Sequence, residues 1–208
     1  MNREIIACGL LACALAGCGG GGAESVLDPR AMAQLREVLN REPQLPDGFT
    51  VRPEQAWRVP FGQADRNCRA ALDPAGGHAP GQALTAQAAV SYPGEGLGEQ
   101  AGVGLARYAG GEAEERLDDL AEALQSCRAV RVSGGTNLRV QDLEVEDAGD
   151  EAVGARLRGR LNGYPYALDV VLSRVGDTLV SVVHTGVDDV DAGRTAKVVE
   201  AVISMAAA

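Results

Sequence analysis

The chain has 208 residues, 46% of them hydrophobic but only 3% aromatic, and a formal net charge of −10. That length suits one domain with an appendage and hardly two. The acidic balance excludes a nucleic-acid partner, and it also excludes an electrostatic hold on anionic lipid, so attachment to a membrane needs another device.

The first segment supplies such a device. Residues 1–17 read as an export signal, in which Arg3 gives positive charge and Ile5 to Ala16 form an apolar run too short to span a bilayer comfortably. The run ends in Leu15-Ala16-Gly17-Cys18, which resembles the lipobox of bacterial lipoproteins. The resemblance implies cleavage before Cys18 and acylation of its thiol. Residues 18–27 are then the lipidated cysteine and a glycine-rich tether, with Gly19 to Gly22 predicting a flexible coil that reaches about 15–20 Å. Each buried methylene of an acyl chain contributes about 0.8 kcal/mol, so two or more chains anchor firmly despite the acidic charge. An uncleaved membrane helix is the other reading of this segment. Cys8, Cys13 and Cys18 are spaced five apart, which scatters thiols around a helix, and no metal site is expected there.

Cys68 and Cys127 remain. In an oxidising compartment an even pair predicts a disulfide, and its loop would restrict the unfolded chain by about 4 kcal/mol. The alternative is a nucleophilic cysteine, but His78 and His184 stand in no recognisable motif with either residue.

The domain proper is expected over residues 28–208. Asp28-Pro29 opens a helix as N-cap and first helical residue, with Met32, Leu35 and Leu39 on its inner face. Residues 43–81 are rich in Pro and Gly and read as irregular, anchored by Phe49, Trp57 and Phe61, with a short helical turn around Cys68. Residues 83–92 and 101–108 read as strands on either side of the turn Pro93-Gly94-Glu95-Gly96-Leu97-Gly98. Residues 111–127 form the clearest helix, with Ala113, Leu117, Leu120, Ala121 and Leu124 in one stripe that Cys127 continues. Its acidic residues Glu112, Glu114, Glu115, Asp118 and Asp119 face the positive dipole end and read as a solvated face.

From Val153 the period becomes two, and Asn162-Gly163 is a hairpin signal. That turn pairs Leu161 with Tyr164, Leu157 with Leu168 and Val153 with Leu172, and sets Pro165 opposite Arg160, where its missing N–H costs nothing. A second turn at Gly176-Asp177 pairs Val170 with Val183. Together the two turns lay Arg156, Asp169 and His184 in a row across three strands. The row is either a cross-strand charge ladder or a polar ligand site in which Asp169 orients the imidazole. An aspartate of Asp188-Asp189-Val190-Asp191 caps the closing helix, whose buried stripe is expected to be Ala196, Val199, Val202, Ile203 and Ala206. The same run lacks the further oxygen ligands of a calcium loop.

The order of lipobox, helix, Leu45-Pro46-Asp47-Gly48-Phe49, cysteine in a short helix, strands, the helix ending at Cys127, the strand run Arg174 to Val183 and a closing helix resembles the extracellular sensor domain of PknH-type bacterial Ser/Thr kinases and the stand-alone lipoproteins that share it. The resemblance covers residues 28–206. It implies an α+β fold, an antiparallel sheet with a C-terminal meander packed by helices, together with a ligand-sized cleft and no catalysis. That family carries two disulfides, whereas this chain has cysteines for one. No kinase segment follows, so signalling would pass through a separate partner.

The expected function is therefore that of an exported, lipid-anchored binding module on the outer face of the cell membrane, taking a small molecule or envelope component and no cofactor. A structural envelope lipoprotein that binds another protein is the second class. A hydrolase is the third, but Ser181 and His184 fall on opposite faces of one strand, and no G-x-S-x-G, H-E-x-x-H or Walker motif occurs.

Overall fold

The computed structural model describes residues 27–41, 44–62 and 66–207. The signal segment 1–17, Cys18 and the tether up to residue 26 lie outside the described residues. Four helices are described: α1 (Pro29–Asn40), α2 (Arg66–Leu72), α3 (Glu112–Ser126) and α4 (Ala192–Ala206). A 3-10 turn, Asp73–Gly76, follows α2. The strands are β1 (Leu84–Pro93), β2 (Gln100–Tyr108), β3 (Ala129–Val132), β4 (Thr136–Asp142), β5 (Glu151–Leu161), β6 (Tyr164–Val175) and β7 (Thr178–Gly186). They form one seven-stranded sheet in the order β1-β2-β7-β6-β5-β4-β3, each neighbouring pair antiparallel. The α+β reading holds.

Both expected registers are present. Leu161 pairs with Tyr164, Leu157 with Leu168, Val153 with Leu172 and Arg160 with Pro165 across β5 and β6. Val170 pairs with Val183 across β6 and β7. The β3–β4 hairpin is an addition that the sequence reading lacked. It turns through Gly134 and Gly135, both at φ near +90° (90° and 89°), a conformation that glycine adopts without steric cost.

Side chains alternate across the sheet, so each face has its own core. On one face α2, α3, Trp57 and Phe61 enclose Leu157, Leu168, Val170, Leu172 and Val183. On the other, Leu35 and Leu39 of α1 and Val198 and Val202 of α4 cover Val103, Leu105, Val171, Val180 and Val182. Gly102 and Gly104 let the first layer sit directly on β2. A Cβ at Gly102 would stand 2.5 Å from Trp57 Cβ, and one at Gly104 would meet the Pro74 carbonyl oxygen.

Cys68 and Cys127 are bonded, with Cα atoms 4.8 Å apart, and both are buried in the first core. The bridge ties α2 to the C-cap of α3. Part of the acidic face of α3 has a specific task. Arg116 is buried, and Glu115 and Asp119 each hold its guanidinium at 2.9 Å, with Glu112 at 3.7 Å.

Two stripes are rotated from expectation. In α1 Ala31 joins Leu35 and Leu39 in the core, while Met32 is half-buried. In α4 the expected Ala196 is exposed, and Thr195 and Val198 are buried in its place beside Val199 and Val202. The cause is polar: the Thr195 hydroxyl is drawn onto the sheet by Asp169 and His184.

Candidate functional site

The row of Arg156, Asp169 and His184 exists, because Arg156 pairs with Asp169 and Asp169 with His184 in adjacent strands. It lies on the face that α4 covers. Asp191 caps α4, its carboxylate accepting the Arg194 N–H at 2.7 Å, and this fixes the first turn of the helix above the row.

The contacts form one chain. Arg156 donates from Nε and Nη2 to the two Asp169 carboxylate oxygens at 2.6 and 2.7 Å, a bidentate pair, and also to the Val190 carbonyl at 2.9 Å. Asp169 is fully buried, and its Oδ2 accepts a third bond from the Thr195 hydroxyl at 2.7 Å. Thr195 Oγ1 lies 2.9 Å from His184 Nδ1, and His184 Nε2 lies 3.3 Å from Glu99 Oε1. Arg194 Nε donates to that same Glu99 oxygen at 2.5 Å, while the Gly96 N–H donates to the other at 2.9 Å. The Arg194 guanidinium sits 4.6 Å above the Phe49 ring, and that ring meets His184 edge-on at 5.5 Å.

Burial pushes the His184 imidazole below its ordinary pKa, against the upward pull of Glu99 and Asp169. Burial would raise the Glu99 carboxyl, but hydrogen bonds from Gly96 and Arg194 and the charge of Arg194 outweigh it and hold the group below the usual carboxylate range.

Of the three residues read from the sequence, Asp169 cannot meet a ligand directly, and His184 is only 2% exposed. The arrangement is first a polar clamp between sheet and helix. Glu99, Thr195, Arg194 and Phe49 belong to it and were missed. Thr195 Oγ1, His184 and Glu99 follow one another as nucleophile, base and acid do in acyl transfer, but Thr195 is buried and its hydroxyl already faces the Asp169 carboxylate and the Asp191 carbonyl.

Three clefts adjoin α4, one of them, of about 340 Å³, between the helix and residues 143–147. A small one of about 370 Å³ opens beside the clamp, between the turn at 94–99 and the start of α4, with Glu99, His184 and Arg194 at its floor. Leu97 and Val187, 82% and 41% exposed, form its lips. A larger one of about 550 Å³ lies between the ends of α1 and α4, where Val38, Pro46, Ala201 and Met205 meet Arg41 and Lys197. Among the described residues no group of three or more His, Cys, Asp or Glu side chains could hold a metal ion.

No protein-family model and no curated protein sequence matches the chain. A solved structure does: the extracellular domain of PknH from Mycobacterium tuberculosis, with a TM-score of 0.54 over 86% of this chain and 91% of that one. The fold is similar to that of the PknH extracellular domain. Sequence identity with the PknH domain is 12%, so the likeness is one of architecture, as the order of elements had implied.

Proposed function

We propose that this chain is an exported, lipid-anchored binding protein of the sensor type, without catalytic activity, held to the outer face of the cell membrane through Cys18. The observation that carries the reading is the likeness in fold, over most of both chains, to a domain described as extracellular. The buried Cys68–Cys127 bridge agrees with an oxidising compartment. The Leu15 to Cys18 sequence supplies the anchor.

The ligand site is the cleft between α1 and α4. Its volume lies in the range of small-molecule sites, and its walls set apolar Val38, Pro46, Ala201 and Met205 beside polar Gln44 and Ser204, with Arg41, Lys197 and Glu200 as its charged groups. Lys197 forms no ion pair among the described residues. This favours an amphipathic molecule with an anionic group. Buried Asp169 and His184, with Arg156, would then serve the site by fixing α4, one of its walls.

Native mass spectrometry of the protein extracted from its own envelope tests the ligand, and growth on a labelled fatty acid tests the anchor. The wild type should carry a non-covalent adduct that Ser204→Trp, which fills the cleft, does not. Cys18→Ser should lose the label. The exposed pair Leu97 and Val187 favours a second reading, docking of an envelope protein. An adduct-free wild type that co-purifies with a protein, and loses it on Leu97→Asp, would decide for that reading.

A further inference from the structure

The clamp is short of one proton. Three consecutive contacts, Asp169–Thr195, Thr195–His184 and His184–Glu99, each need a hydrogen between two electronegative atoms. A neutral imidazole and one hydroxyl bring two. The Thr195 hydroxyl must point at Asp169, since an ionised carboxylate only accepts, and the Asp191 carbonyl at 3.2 Å is likewise only an acceptor. Thr195 Oγ1 is then free to accept, and the shorter of the two His184 contacts, 2.9 Å at Nδ1 against 3.3 Å at Nε2, puts the imidazole proton on Nδ1. The bare Nε2 lone pair is left facing Glu99 Oε1, an oxygen already pinned by Arg194. That contact is acceptor against acceptor, and it lies at the floor of the small cleft.

We infer that the row Asp169–Thr195–His184–Glu99 is a proton-binding switch for this cleft, in which a proton on His184 Nε2 draws Glu99 onto the ring and its loss loosens that contact, leaving Glu99 and the turn it organises to Arg194 and Gly96 alone. Glu99 is the natural moving part. Its backbone carbonyl accepts the Gly94 N–H and its carboxylate the Gly96 N–H, so it organises the whole turn between β1 and β2. Charged groups face the ring from each element packed on it. Glu99 stands at the β2 end and Asp169 on β6, the latter backed by Arg156 of β5. Arg194 and Asp191 belong to the first turn of α4 and its cap, and Asp189 to the loop before it. The carboxylates favour the added proton while Arg194 and burial oppose it, so it is taken up as the medium acidifies. The switch does not depend on what the larger cleft binds.

The chain has two histidines, which makes the test direct. Ring nitrogen NMR spectra of the labelled protein, with His78→Gln to assign the signals, should show the uncommon Nδ1–H tautomer of His184 at neutral pH and protonation of both nitrogens in acid. Glu99→Gln can offer an amide N–H to Nε2, and it should lower the proton affinity of His184 roughly tenfold or more, the usual effect of removing one adjacent charge. Thr195→Val leaves one contact for one proton, so the tautomer should switch to Nε2–H. Amide protection at residues 96–99, taken relative to the intrinsic exchange rate at each pH, should rise in acid in the wild type and lose that dependence in Glu99→Gln. An Nε2–H tautomer in the wild type would overturn the inference. So would an unchanged or higher proton affinity in Glu99→Gln, or protection at 96–99 indifferent to the titration. Should Glu99→Gln fail to fold, the tautomer in the wild type and in Thr195→Val decides.

Discussion

Replacing Cys68 and Cys127 together by alanine releases a loop whose ends lie 59 residues apart. On the chain-entropy account, a cross-link of that span removes about 4 kcal/mol of freedom from the unfolded ensemble. Cys68 and Cys127 are also packed within the core that holds Trp57 and Leu117, so losing the sulfurs adds a small packing cost. A domain of this kind has roughly 5–15 kcal/mol in all, and the double variant should forfeit a third of it or more. Urea denaturation followed by Trp57 fluorescence measures the loss, since Trp57 is the single tryptophan and is buried in the affected core. With a slope of about 2 kcal/mol per molar urea, the midpoint should fall by about 2 M. A drop of less than about 0.5 M would refute the reasoning, as would two titratable thiols in the unfolded wild type.

Gly104→Ala drives a methyl group against the Pro74 carbonyl oxygen, a backbone atom that cannot swing away, and should destabilise by about 1–3 kcal/mol in the same assay, whereas Gly110→Ala, with open space around it but a left-handed backbone, tests strain without collision. Asp191→Ala removes the cap of α4 and should cost about 1 kcal/mol, read as a lower melting temperature. His184 and Glu99 both have folded pKa values below their ordinary ones, so the stability they contribute is present at high pH and lost as pH falls. For His184 the loss begins below about 6.5. The urea midpoint should therefore be lower at pH 5.5 than at pH 7.5, and His184→Gln should flatten that difference; a midpoint that rises in acid contradicts the assignment.

The meander was legible because two local signals agreed: Asn162-Gly163 fixed the turn, and the alternation from Val153 to Leu161 fixed the face, so Arg156, Asp169 and His184 could be aligned before any coordinates. Asp28 and Asp191 marked helix starts by the same kind of short-range chemistry. The β3–β4 hairpin had a signal, alternating Val130, Val132, Thr136, Leu138 and Val140 around Ser133-Gly134-Gly135, but β3 is only four residues long, and exposed Arg131, Asn137, Arg139, Gln141 and Asp142 dilute the apolar pattern. Glu99 was not legible at all. It stands 85 residues from His184 and 95 from Arg194 in the chain, and only the pairing of β2 with β7 brings them together. The rotation of α4 has the same origin. A threonine among valines looks like a surface residue until a buried carboxylate beneath it is known.

The strand order carries a consequence for assembly. β7, the last of the described strands to be synthesised, is an interior strand of the sheet, joined to β2 on one side and β6 on the other. Until it arrives, the early hairpin of β1 and β2 and the later block of β3 to β6 are two part-sheets, each with a raw edge where β7 will pair. The sheet is therefore continuous only once Gly104 meets Ser181 and the two parts join across a strand from late in the chain, a long-range pairing that sequence-local hairpins cannot replace.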